Sequence, residues 1–64
     1  MIRARNNATT LRRLAREALR GGPKTTKQVA RALGVATPTA RSRLLELVAT
    51  GQATKLARSL WALR

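Results

Sequence analysis

The chain has 64 residues, 44% of them hydrophobic, with fourteen lysines and arginines against two glutamates and a formal net charge of +12. A chain this short makes one small domain that buries about 60% of its unfolded surface, and with no cysteine or histidine neither a disulfide nor a zinc site can staple it. Charge of one sign on that scale repels itself and favours an anionic partner, nucleic acid ahead of a membrane surface or an acidic protein.

Residues 1–8, with Arg3 and Arg5, read as a basic flexible arm, and residues 9–64 as the folded domain. The arm lacks the apolar run of a secretory signal, and no stretch approaches the ~20 apolar residues of a membrane span. A soluble cytoplasmic, nucleoid-associated protein is the expectation. From about Thr9, the residues Leu11, Leu14, Ala15, Ala18 and Leu19 recur at i, i+3, i+4 spacing. Arg12, Arg13, Arg16 and Arg20 take the other side, with Glu17 among them, and Gly21-Gly22-Pro23 stops this first helix. Cationic membrane-surface helices also show an arginine face. The stripe here has no aromatics and a helical core follows downstream, so it is read as buried within the domain.

Lys24-Thr25 is extended and suits a very short strand. Thr25, with Gln28 three residues on, forms a capping box for a second helix running to about Leu33. Val29, Ala30 and Leu33 lie on its inner face, and Lys27 and Arg31 lie outside. Gly34 stops that helix, Val35 plugs the turn, and Ala36 or Thr37 caps a third helix over residues 37–50. Pro38 falls in its first turn, where a missing N–H does no harm. Ala40, Leu44, Leu47 and Val48 give this helix its buried side, and Gly51 ends it. The tail then changes period. Ala53-Thr54-Lys55-Leu56 and Leu60-Trp61-Ala62-Leu63 flank Ala57-Arg58-Ser59 as a β-hairpin, with Trp61 and Leu63 folded back on the helices. A short fourth helix is the competing pattern, since alanine and leucine are indifferent strand formers.

The pattern predicts a mainly α chain with a small β-hairpin, and its order resembles the winged helix-turn-helix superfamily, small bacterial and phage transcriptional regulators in particular. The resemblance runs from the second helix to the tail. It is carried by Thr25-x-x-Gln28-Val29-Ala30, Leu33-Gly34-Val35, Thr37-Pro38-Thr39-Ala40, Leu44-x-x-Leu47, Gly51 and Leu60-Trp61-x-Leu63. It implies a DNA-binding, three-helix winged helix-turn-helix whose third helix enters the major groove of double-stranded DNA. Thr37, Pro38, Thr39, Arg41 and Ser42 then face the groove, and Lys55 and Arg58 sit on a wing beside the backbone or minor groove. Two residues depart from the pattern: Gln52 stands where a buried aliphatic is usual, and Ala40 is small for the centre of a recognition helix. The Leu60-Trp61 pair is also similar to winged-helix domains that bind left-handed DNA, but those carry an asparagine and a tyrosine where this chain has Arg41 and Leu45.

The residue chemistry suits the same partner. The fork of Arg41 matches the O6 and N7 acceptors of guanine, or serves equally as a phosphate clamp. Arg43 and Arg31 suit phosphate, as do Thr25, Thr26 and Lys27 at a helix N-terminus, where free N–H groups favour an anion. The arginines of the first helix have no assigned place against the duplex. Leu45, apolar on the outer side, either packs under the wing or marks a protein contact, and a homodimer or partner through Leu45 or the first helix stays open. Glu17 and Glu46 on different helices, without His, Cys or Tyr, do not make a catalytic centre. Neither a cofactor motif nor a metal site is expected, and a lone Trp61 argues against single-strand stacking. Two DNA-binding functions follow, a sequence-specific transcription regulator or an architectural accessory protein for packaging or recombination. A module binding an acidic protein is a third.

Overall fold

The computed structural model describes residues 7–64; the expected basic arm, over residues 1–6, lies outside the described residues. Asn7 begins the domain. Its Oδ1 accepts the Thr10 N–H at 2.8 Å and caps α1 (Ala8–Leu19), so residues 7 and 8, expected in the arm, belong to the helix start. Leu11, Ala15 and Leu19 form the buried stripe of α1, whereas Leu14, expected inside, is 39% exposed. Five apolar positions span more of the helix circumference than one packing face covers, and the arc centred on 11, 15 and 19 is the one that meets the core.

Beyond Gly22 the chain forms β1 (Lys24–Thr25) and passes directly into α2 (Thr26–Leu33). The capping box is present: Thr25 Oγ1 accepts the Gln28 N–H at 3.1 Å, and Gln28 Oε1 accepts the Thr25 N–H at 2.9 Å. Gly34 closes α2 in the left-handed conformation at φ 71°, with its N–H on the Arg31 carbonyl and the Val35 N–H on Ala30. This Schellman closure tips the chain sharply, and after Ala36 it enters α3 (Thr37–Ala49). Pro38 sits in the first turn of α3 as expected.

Gly51, at φ 79°, ends α3 in the same way, with Gln52 N–H on Leu47 O at 2.8 Å. Here Gln52 finds its role. It is exposed, supplies the last N–H of the cap, and donates from Nε2 to Thr50 Oγ1 at 2.9 Å. A buried aliphatic is not needed where the backbone does this work.

The tail is β rather than a fourth helix. Strands β2 (Ala53–Ala57) and β3 (Leu60–Leu63) pair antiparallel, and β1 adds on the other side of β3, giving a sheet of order β1-β3-β2. Lys55 lies opposite Trp61 and Ala57 opposite Leu60, so Leu56 is the extra residue of a β-bulge. The core lies between the three helices and the inner face of this sheet. It contains Ala15, Leu19, Val29, Ala30, Ala40, Leu44, Leu47, Ala53 and Trp61, with Leu33, Val35, Val48 and Leu63 packed against it. The fold is a three-helix winged helix-turn-helix, mainly α with a small antiparallel sheet.

Candidate nucleic-acid interface

The α2–Gly34–α3 unit packs around the shared core. Ala30 and Ala40 are both buried in the core, and Val35, from the turn between the two helices, packs against that core. This fixes the direction of α3, whose outer face is then set by the 3.6-residue period. Pro38, Arg41, Ser42, Leu45 and Ala49 are all exposed, and together they form that face. Thr37 and Thr39 are half-buried at its flanks. The Ser42 hydroxyl donates to the Pro38 carbonyl at 3.2 Å, which leaves its oxygen lone pairs outward. Leu45 is 47% exposed.

Negative charge is kept off this face. Glu46 lies about 140° around α3 from Arg41, turned toward α1. Its Oε1 accepts from Arg12 at 2.9 Å and its Oε2 from Arg43 at 2.9 Å. These are the ion pairs among the described residues. The Arg12 hydrogen bond holds the Glu46 carboxyl below its ordinary value, against the effect of desolvation and with the charges of Arg43 and Arg12 adding to it. One sequence expectation changes here, and one open position finds its place. Arg43 is bound to Glu46, its side chain only 20% exposed and its Nε buried without a hydrogen-bond partner, so its guanidinium is not presented outward. Arg12, on the side of α1 away from its apolar stripe and left without an assigned role by the sequence, ties α1 to α3. The i,i+3 spacing of Arg43 and Glu46 was a local signal for the first pair, but nothing local marks a pair 34 residues apart.

The start of α2 also differs from the expected anion site. Thr26 is 2% exposed, its Oγ1 accepts the Trp61 indole N–H at 2.7 Å, and its own N–H donates to Ser59 O at 3.0 Å. Its side chain has no path to a phosphate. The N–H groups of Thr25 and Gln28 are taken by the capping box, so the first turn of α2 is largely satisfied within the protein. The bond from Thr26 to Ser59 has a second effect. It seats the turn of the wing, with exposed Arg58, beside the start of α2, where Lys27 is exposed, and Arg31 is exposed one turn further on. Lys55 is exposed too, its Nζ resting 5.5 Å from the centroid of the Trp61 ring. In contrast to α2, no side chain caps the first turn of α3.

Among the described residues no helix is long and apolar enough to cross a membrane. No family model, curated protein or solved structure matches the chain.

Proposed function

We propose that the protein is a winged helix-turn-helix DNA-binding protein of the small bacterial or phage regulator type, which inserts α3 into the major groove of duplex DNA. The observation that carries this reading is the segregation of charge about α3. Its one acid is turned to α1 and doubly paired, while the opposite face presents Arg41 among uncharged side chains. In this reading Arg41 donates bidentately to a guanine, and Thr37, Pro38, Thr39 and Ser42 contact bases or the groove wall. Lys27, Arg31, Lys55 and Arg58 neutralise backbone phosphates on either side, with the Thr25 hydroxyl at their edge. The uncapped first turn of α3 adds N–H groups and the positive end of a helix dipole toward the same anionic groove. Thr26 is left out of the set, and Arg43 joins it only by leaving Glu46.

Selection of bound sequences from a random duplex pool tests the reading. A recovered consensus of a few base pairs supports a sequence-specific regulator. Tight binding with no consensus would favour the architectural role instead, in which the arginines grip the backbone alone. Failure of duplex DNA to displace an acidic protein partner would move the function to that third class.

A further inference from the structure

Leu45 is the large apolar side chain on the outer face of α3, and the fold does not account for it. It is 47% exposed, whereas Leu44 and Leu47 beside it in sequence carry the packing of the helix. Its neighbours on the face are Pro38 and Ala49, both small, with the polar Arg41 and Ser42 among them, short of the contiguous apolar patch that a protein-docking surface requires. The face is positively charged, with no unpaired acid, and this suits a polyanion better than a second copy of the same +12 chain. The base edges of a major groove present one apolar group, the 5-methyl of thymine.

We infer that Leu45 reads the methyl group of a thymine close to the base contacted by Arg41; this rests on the DNA-binding reading above. Arg41 and Leu45 are four residues apart on one side of α3, about 6 Å along the helix axis. With base pairs about 3.4 Å apart, the thymine falls within about two base pairs of the Arg41 position. Leu45 is thus a specificity residue, adding an apolar contact next to a polar one.

The test measures binding of the wild-type protein and Leu45→Ala to the selected duplex, and to copies in which each thymine in turn is replaced by deoxyuridine. The wild type should lose about fourfold in affinity at one replacement, the effect of leaving one methyl-sized group without its contact. That position should lie within about two base pairs of the one whose preference Arg41→Ala relaxes. Leu45→Ala should bind the thymine and deoxyuridine versions alike at that position. Wild-type binding indifferent to every replacement, or an unchanged methyl dependence in Leu45→Ala, would overturn the role of Leu45 while leaving duplex binding and the Arg41 preference intact. A wild type that binds no duplex at all, or selects no sequence, overturns the reading beneath it as well. The deoxyuridine series on the wild type needs no variant to fold.

Discussion

At the scale of single residues, Trp61 is buried and Arg41 is exposed. Trp61 is 1% exposed, and its indole N–H is bonded to Thr26. Truncating such an aromatic costs ~3–5 kcal/mol, comparable to the whole stability of a domain this small. Trp61→Ala should therefore be unfolded at room temperature by circular dichroism, and a folded variant with weakened DNA binding would make Trp61 a contact residue instead. Thr26→Val keeps the shape but strands a buried N–H, for an expected loss of about 1–3 kcal/mol in denaturant unfolding. Thr26→Ser should retain most of the stability, and equal losses for both variants would remove the hydrogen bond as the cause. For function the comparison is between Arg41 and Lys27. Arg41→Ala should relax preference at one or two base pairs, since a bidentate guanine contact is worth about 1–3 kcal/mol of discrimination. Lys27→Ala should weaken the selected and scrambled duplexes alike and reduce the salt slope by about one. Equal losses on both duplexes for Arg41→Ala would reduce it to a phosphate clamp.

At the scale of elements, the turn between α2 and α3 decides where the outer face points. Gly34 is left-handed, and a Cβ placed on it would meet nothing within 4 Å. Gly34→Ala should then cost only the backbone strain, about 1–2 kcal/mol, with DNA affinity retained in the folded fraction. A much larger loss in a thermal melt would mean that α3 itself had shifted. Much of this level was legible in the residues. The capping box at Thr25, the stop at Gly34, the start at Pro38 and the period change after Gly51 are local signals, each satisfied by atoms within a few residues. The exposure of Leu14, the burial of Thr26 and the pairing of Arg12 with Glu46 were not legible. Each depends on a partner or a packing direction supplied by a distant segment.

For the whole molecule, charge links stability to binding. If about six phosphates are neutralised, log K against log salt should slope near −5; a flat response in a salt titration would speak against a DNA interface. Acid acts on the fold through Glu46. Its folded carboxyl lies below the ordinary value of 4.5, so its contribution is complete above that pH and is lost as pH falls through the lowered folded value. Denaturant midpoints of the wild type should decline on acidification through that range, and Glu46→Gln should lack this increment while being less stable near neutrality. The same variant frees Arg12 and Arg43 and raises the net charge, so its duplex affinity should increase at low salt. An unchanged affinity would show that those two arginines do not reach the duplex.

The residues by themselves determined the three helices, most of their ends and the excess of positive charge, because caps, glycine turns, hydrophobic period and net charge are properties of neighbouring positions or of the chain as a sum. Tertiary structure decided that the tail forms strands and which polar and basic residues are left exposed. Thr26 went to the core because Trp61 arrives from 35 residues away with a donor to satisfy. Arg12 went to Glu46 because α1 packs against α3 on the side where that carboxylate lies, while Arg43 reaches it from three residues back on the same helix, and an acid drawn to two arginines leaves the opposite face to Arg41 and Leu45. A helical period lists the residues that share a face, but only the packing of the other helices determines which face is left to solvent.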